Sequence, residues 1–227
     1  MLGEDMELTE VIGVIFDFNG TMLFDRKYHL ESWRICVEDL TMREMSNADV
    51  KNYIDGKGSK EILEHFLGED LSDSMIWQFQ EEKERIYRNL LLKDHPSLAP
   101  GLETFMDYLK QAGVPMAIAS SAPLTNMTMY YDEFELFRWF DWDHIVNASP
   151  EMPGKPHPAL YQEAVKILKV PANHCLAFED SQVGIEAAYA AGIRNIVHVV
   201  ADMPGQIEGE MPGVIKSVRD FTELKEL

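Results

Sequence analysis

The 227-residue sequence predicts an α/β fold, with a parallel β-sheet that carries helices on both faces. Three observations lead to this prediction. After residue 100, short apolar runs alternate with helical patterns, which is typical of βαβ units. A similar apolar run stands alone at residues 11–18. Between that run and residue 94 the patterns are helical, so we predict a helical domain inserted into the α/β domain.

The first predicted element is a buried strand at residues 11–18, VIGVIFDF, because the run is short, continuous and β-branched. Three amphipathic helices follow, and Ser72 is a candidate N-cap for the third. They cover residues 29–40, 59–67 and 72–93. We therefore assign residues 1–23 and 95–227 to the α/β core and residues 24–94 to the helical insert.

The second half of the chain alternates helices with strands. Helices are predicted at residues 102–113, 124–134, 158–169 and 182–192. Strands are predicted at residues 114–121, 144–148, 174–180 and 195–200. Because such crossovers are right-handed, the helices should cover both faces of a parallel sheet.

The formal net charge of -19 opposes binding to nucleic acid or to an anionic membrane, so we expect neither as a partner. No apolar run approaches the ~20 residues that span a bilayer. The acidic residues 1–10 do not have the pattern of a secretory signal. Cys36 and Cys175 lie in apolar patterns typical of buried thiols. We expect a cytoplasmic protein that is a monomer or a weak dimer.

Polar residues end three of the predicted strands. They are Asp17 and Asn19, Ser120 and Ser121, and Glu179 and Asp180. Because ligands bind at the carboxyl ends of the strands in open α/β sheets, these residues should converge on one site. Each also has a simpler interpretation. Asn19-Gly20 is a hairpin-turn signal, the serines could cap the next helix, and acidic residues favour a helix N-terminus.

Four motifs, in order, resemble those of the haloacid dehalogenase superfamily, and within it the β-phosphoglucomutase-like phosphatases and mutases. They are DFNGT at residues 17–21, AIASSAP at 117–123, GKPHP at 154–158 and EDSQVGIEAA at 179–188. The resemblance implies a Rossmann-like catalytic core with an inserted α-helical cap domain. It also implies an Mg²⁺-dependent phosphatase of a small, sugar-phosphate-like metabolite.

The resemblance assigns a role to each motif residue. Asp17 would be the nucleophile that forms an aspartyl-phosphate. Ser120 would donate a hydrogen bond to the phosphate, and Lys155 would neutralise negative charge, although a lysine in a Pro-rich loop could also be solvated. The remaining phosphate-binding positions are Gly20, Thr21 and Ser121.

The metal site implied by the resemblance consists of oxygen ligands, which suit Mg²⁺. The ligands would be Asp17, the backbone carbonyl of Asn19, Asp180, and Glu179 as a nearby or supporting group. This assignment requires the carboxylates of Asp17 and Asp180 to lie close enough to share one ion.

Asn19 departs from the family pattern, in which an aspartate at this position is the general acid and base. An amide carries no titratable proton, and general acid–base help is typically worth ~10²–10⁴-fold. Four explanations stay open. His29 could supply the acid and base, although its position favours a helix-start residue in the hinge. The enzyme could be slow or restricted to activated phosphates, it could bind a phosphometabolite without turnover, or deamidation of Asn19 could restore aspartate.

The helical insert offers one candidate substrate loop, DGKGSKE at residues 55–61, in which Lys57 or Lys60 would meet an anionic or hydroxyl group. The same residues could instead form a plain helix–helix connector with Ser59 as N-cap. We interpret the aromatic-rich residues 129–144 as core packing with one exposed end. Hydrolysis is favoured over a phosphomutase reaction because no pattern shows how the site would resist water. A non-catalytic phosphate-binding protein is the other alternative.

Overall fold

The computed structural model describes residues 11–54, 57–149, 151–200 and 211–224. Within these ranges it contains one six-stranded parallel sheet, which confirms the predicted α/β class. The strands are β1 Gly13–Phe16, β2 Met116–Ser120, β3 Ile145–Asn147, β4 Cys175–Glu179, β5 Asn195–Val199 and β6 Val214–Val218. Their spatial order is β3-β2-β1-β4-β5-β6, so the order reverses at β1 and β4.

The chain divides into two compact units. The sheet unit comprises the chain up to Phe24 and from Ser97 onward, and the helical unit comprises Asp25–Pro96. The longer helices of the helical unit are α1 Arg26–Thr41, α2 Ser59–Leu67 and α3 Asp73–Asp94. Those of the sheet unit are α4 Leu102–Gln111, α5 Leu124–Glu133, α6 Ala159–Leu168 and α7 Gln182–Ala190.

Strands β1, β2 and β4 are buried on both faces, which explains their continuous apolar sequences. Ile15 belongs to a cluster with α6 and α7 that includes Leu160 and Ile185. Its neighbour Phe16 points to the opposite face, as the period of two in a strand requires. There Phe16 stacks on Phe178 with ring centroids 5.2 Å apart. Three further rings contact Phe16, those of Phe105, Phe140 and Phe221.

The helical unit has its own apolar core, formed by Trp33, Val37, Met45, Val50, Ile54, Ile62, Leu63 and Ile76. Ser72 is confirmed as the N-cap of α3, because its side chain accepts a hydrogen bond from the N–H of Met75 at 3.3 Å. Ser59 is not a cap. Gly58 occupies that position and Ser59 is the first helical residue of α2.

The sequence did not predict β6 or the short helical segments. β6 is an edge strand with alternating exposed residues, so it lacks the continuous apolar run that marks the other strands. Ser46 begins a short helix at Asn47–Asp49 through a capping box, and a π-helix follows at Val50–Ile54. Each is shorter than the window in which helical periodicity can be recognised.

Two further sequence predictions concern the cysteines and membrane-spanning segments. Cys36 and Cys175 are buried free thiols, as predicted. Among the described helices, none combines the length and apolar character needed to cross a bilayer. The acidic residues 1–10 and residues 55–56 of the candidate substrate loop lie outside the described ranges.

We expect Phe16→Ala to lower the free energy of unfolding by about 3–5 kcal/mol, because it leaves a cavity among four aromatic rings in the sheet core. Phe137→Ala is the matched control, since that ring is 56% exposed and its loss should cost about 0.5 kcal/mol. Urea unfolding followed by circular dichroism measures both. Equal losses in the two variants would contradict the assigned core.

Candidate active site

The carboxyl ends of three adjacent strands form the edge at which the predicted site residues meet. Asp17 directly follows β1, and its N–H donates to the carbonyl of Phe178 in β4 at 3.0 Å. Ser120 is the last residue of β2 and Glu179 is the last residue of β4. β1 lies between these two strands, where the strand order reverses. This switch point is where open α/β sheets bind their ligands.

Lys155 places a buried positive charge between two of these strand ends. Its Nζ donates hydrogen bonds to Oδ1 of Asp17 and to Oε1 of Glu179, and only 6% of its side chain is exposed. Burial by itself would lower the pKa of Lys155, but Asp17 and Glu179 together raise it, so the ammonium stays charged. The alternative of a solvated lysine is therefore wrong.

Glu179 is fully buried and has hydrogen-bond donors at both carboxylate oxygens. The hydroxyl of Tyr161 donates to Oε1 at 2.7 Å, in addition to Lys155. The N–H groups of Asp180 and Ser181 donate to Oε2 at 3.1 and 3.3 Å. Ser181 also caps α7, since its Oγ accepts from the N–H of Gly184 at 3.2 Å. Glu179 therefore connects the lysine to the N-terminus of α7.

Two glycines make room for the acidic pair. A Cβ atom at Gly184 would lie 2.1 Å from atoms of the Glu179 carboxylate. A Cβ atom at Gly20 would lie 2.1 Å from Oδ2 of Asp180, and Gly20 also has a positive φ of 79°. The carboxylate of Asp180 thus packs directly against the turn that follows Asp17.

Three carboxylates come together beside this turn. Oxygen atoms of Asp17, Glu179 and Asp180 all lie within 4.8 Å of one another. Oδ2 of Asp17 is buried, and within the described residues it has no hydrogen-bond partner. Burial, followed by the effect of neighbouring Glu179, raises the pKa of Asp17 to about 7 even though Lys155 opposes the shift. The pKa of Asp180 is also raised, by burial and then by the other two carboxylates.

A hard divalent cation fits this arrangement. The formal charge of three carboxylates exceeds that of the Lys155 ammonium by two, and Asp17 offers a buried oxygen without a donor in the described part of the chain. Oxygen ligands of this kind suit Mg²⁺. The distance requirement set by the sequence, that Asp17 and Asp180 lie close enough to share one ion, is met.

The segment that follows Asp17 is a compact turn and not the hairpin turn that Asn-Gly suggested. The N–H groups of Thr21, Met22 and Leu23 all donate to the carbonyl of Phe18. Asn19 forms a parallel bridge with Leu23. The hairpin interpretation is wrong because the chain pairs with itself in the parallel sense over this short turn, whereas a hairpin needs two antiparallel strands.

The serines after β2 do not cap a helix. Oγ of Ser120 accepts a hydrogen bond from the N–H of Ala122 at 3.1 Å, whereas α5 begins after Pro123 without a side-chain cap. Oγ of Ser121 accepts from the N–H of Lys155 at 3.5 Å. The two serines therefore shape the loop beside Lys155.

His29, in the helical unit, has a partner at each ring nitrogen. Nδ1 lies 2.7 Å from Nζ of Lys83, and Nε2 lies 3.2 Å from Oδ2 of Asp25. An ammonium can only donate, so Nδ1 accepts and Nε2 carries the hydrogen toward Asp25. The ring also stacks on Tyr87, with centroids 4.2 Å apart. These contacts do not favour His29 as the source of a transferable proton.

The lysines of the candidate substrate loop form ion pairs within the helical unit. Nζ of Lys57 lies 2.7 Å from Glu61, and Nζ of Lys60 lies 3.6 Å from Glu64. Both pairs have the i,i+4 spacing of exposed helix surfaces. This pattern is what a plain helix connector would show.

Three side chains near the acidic pair and the turn were not predicted from the sequence. Tyr161 donates to Glu179, and Tyr130 accepts a hydrogen bond at 2.9 Å from Nδ2 of Asn19. His198, in β5, donates from Nε2 to the carbonyl of Asp180 at 3.1 Å, and burial lowers its pKa. Each lies in an apolar pattern that also fits simple core packing, so only the folded topology reveals these contacts.

A family model described as haloacid dehalogenase-like hydrolase matches residues 13–192. The chain is 26% identical over 221 residues to a phosphorylated carbohydrates phosphatase of Thermotoga maritima, covering 94% of this chain and 98% of the relative. It is 27% identical over 186 residues to the β-phosphoglucomutase of Bacillus subtilis, covering 79% and 80% of the two chains.

The structure is similar to the crystal structure of a HAD hydrolase, family IA, variant 3, from Entamoeba histolytica. The TM-score is 0.86 and the sequence identity is 31%. The match covers 94% of this chain and 95% of the other. The similarity therefore includes both units of the chain.

We expect Gly184→Ala to destabilise the protein, although alanine is the better helix former by about 1 kcal/mol. The added Cβ would lie 2.1 Å from the Glu179 carboxylate, so the loss should be about 1–3 kcal/mol. Val183→Ala, in the same helical turn and 47% exposed, is the control and should stay within about 0.7 kcal/mol of wild type. Urea unfolding compares them; a more stable Gly184→Ala protein would show that Glu179 is not packed there.

Proposed function

Because the chain belongs to the haloacid dehalogenase-like hydrolases and is similar to a β-phosphoglucomutase, we propose that it is a cytoplasmic, Mg²⁺-dependent phosphatase of a small phosphorylated metabolite. The observation that carries the proposal is the carboxylate of Asp17. One oxygen is held by Lys155, and the other is buried without a hydrogen-bond partner in the described residues. That arrangement suits a nucleophile, because the second oxygen can form a bond to phosphorus or coordinate a cation.

The ligands that we assign to Mg²⁺ are the carboxylates of Asp17 and Asp180 and the backbone carbonyl of Asn19, with Glu179 in support. When bound, the ion would offset the repulsion between an anionic nucleophile and a phosphate dianion. The protein's own contribution to the same end is Lys155, whose ammonium already contacts Asp17.

The first chemical step transfers the phosphoryl group to Asp17. An oxygen of the carboxylate forms a bond to phosphorus, and the bond from phosphorus to the leaving oxygen breaks. Ser120 would donate to a phosphoryl oxygen, and Gly20, Thr21 and Ser121 would line the phosphate site. An aryl or acyl leaving group can depart as an anion, whereas an alkoxide needs a proton that Asn19 cannot supply.

The substrate class follows from the same comparison. The relative from Thermotoga maritima is named a phosphatase of phosphorylated carbohydrates, which supports a sugar-phosphate-like substrate for this chain. The amide at Asn19 favours phosphates with good leaving groups among such metabolites. We propose these activated phosphates as the substrates that turn over fastest.

A phosphomutase reaction is the second candidate, and the similarity to a β-phosphoglucomutase favours it. A mutase returns the phosphoryl group to a substrate hydroxyl and releases no phosphate. Assays of phosphate release and of substrate isomerisation, run on the same sample, separate the two. Saturable binding with neither product would support a non-catalytic phosphate-binding protein.

Asp17→Asn should lower turnover of p-nitrophenyl phosphate by several orders of magnitude, because the amide cannot form the aspartyl-phosphate. Intact-mass spectrometry after acid quench should find a phosphorylated species in the wild type and none in the variant. Substantial residual activity in Asp17→Asn would mean that another group is the nucleophile. A thermal unfolding curve for each protein controls for loss of the fold.

Asn19→Asp should raise turnover of sugar phosphates by ~10²–10⁴-fold, because it supplies the missing acid and base. Turnover of p-nitrophenyl phosphate should rise much less, since its leaving group needs no proton. Steady-state kinetics on both substrates measure the difference, and equal gains would contradict this role for position 19. Peptide mass spectrometry of the wild type must show unmodified Asn19, which removes deamidation as an explanation.

A further inference from the structure

Tyr130 contacts Asn19, the residue that stands where the family pattern has the aspartate that acts as general acid and base. Its hydroxyl oxygen accepts a hydrogen bond from Nδ2 of Asn19 at 2.9 Å. The two residues are 111 positions apart in the sequence, so the contact depends on the folded sheet unit. It joins the turn after β1 to helix α5.

The tyrosine is a rigid support. Tyr130 is fully buried, and its ring stacks on Phe18 with centroids 4.3 Å apart and planes 17° apart. Phe18 is also fully buried, and it immediately precedes Asn19. A side chain packed in this way cannot reach a substrate itself, so its effect on the chemistry must pass through residues that it contacts, and Asn19 is the contact beside the nucleophile.

In the structure this hydrogen bond turns Nδ2 of the Asn19 amide toward the Tyr130 hydroxyl. With Nδ2 turned toward Tyr130, the carbonyl oxygen Oδ1 lies on the other side of the amide group. Oδ1 is a hydrogen-bond acceptor, and it can orient a water molecule although it cannot take its proton. Orientation of the attacking water by an uncharged amide is a known form of catalysis in phosphoryl transfer.

We propose that Tyr130 is a positioning residue that holds Asn19 so that Oδ1 orients the water which hydrolyses the aspartyl-phosphate. The inference rests on the proposed phosphatase function and concerns its second step. The water oxygen forms a bond to phosphorus while the bond from phosphorus to the Asp17 oxygen breaks. Both water hydrogens end on the released phosphate, and Asp17 returns as a carboxylate. The step balances without a protein base, and an amide can orient the water although it cannot deprotonate it.

The test is a single-turnover experiment with Mg²⁺, excess enzyme and p-nitrophenyl phosphate. Release of nitrophenolate reports phosphorylation of Asp17, and release of inorganic phosphate reports hydrolysis. Tyr130→Phe removes only the hydroxyl, so it should slow phosphate release roughly three- to tenfold, the effect of one neutral hydrogen bond. Nitrophenolate release should not change. Equal slowing of both steps, or no change in either, overturns the proposal.

Tyr131→Phe is the matched control. It lies next in the same helix, and it also loses a hydroxyl hydrogen bond, to the carbonyl of Phe140 at 3.1 Å. Phosphate release by this variant should equal that of wild type. If Tyr131→Phe slows phosphate release as much as Tyr130→Phe does, the effect is general destabilisation of α5 and the proposal fails.

A double-mutant cycle with Asn19→Ala tests whether Tyr130 acts through Asn19. In the Asn19→Ala background, Tyr130→Phe should have no further effect on phosphate release. The same fold loss in both backgrounds would overturn the inference. Failure of the proposed function has a different signature, because wild type would then release neither nitrophenolate nor phosphate.

Discussion

The ammonium of Lys155, buried between Asp17 and Glu179, is the interaction on which the rest of the site depends. Three carboxylates within 4.8 Å of one another would repel strongly in a medium that excludes water. Separating either carboxylate from Lys155 would leave that carboxylate buried without its counter-charge. An uncompensated buried charge is among the most destabilising changes in a protein core. The strand ends at β1 and β4 are therefore held together by charge as well as by the backbone ladder.

Glu179 positions the ammonium of Lys155. Both of its oxygens accept hydrogen bonds from protein groups, among them the hydroxyl of Tyr161 and the N–H groups at the start of α7. Glu179 can therefore hold Lys155 against Asp17 without itself moving. The space for its carboxylate exists because residue 184 has no side chain. A glycine in the EDSQVGIEAA motif is thus explained by packing rather than by flexibility.

The site is held at a cost to stability. The pKa of Asp17 is raised from 3.8 to about 7, mainly by burial, so the fold disfavours its ionised form. Stability from this group is full below pH 3.8 and declines as the pH rises toward 7, because the unfolded chain gives up the proton more readily. The fully buried aromatic face around Phe16 and Phe178 offsets such losses.

The sequence predicted the features that depend on local patterns, namely five of the strands and the polar residues at the carboxyl ends of three of them. It missed β6, whose exposed edge lacks a continuous apolar run. It also missed Tyr130 and His198, which lie in apolar patterns. Their hydroxyl and imidazole groups acquire a partner only when elements distant in sequence are brought together. Periodicity reports which face is buried, but it does not report what a buried polar tip contacts.

Asn19 can be understood from the charge of its surroundings. A carboxylate at this position would be a fourth acid near Asp17, Glu179 and Asp180, whose charges Lys155 offsets only in part. The amide, which donates a hydrogen bond to the Tyr130 hydroxyl, adds no charge. In the proposed phosphatase, an anionic substrate would therefore meet less repulsion, while an alkoxide leaving group would lack a proton donor at position 19. The same substitution would thus weaken one step of the chemistry and favour the approach of the substrate, and the leaving group would determine which effect is larger.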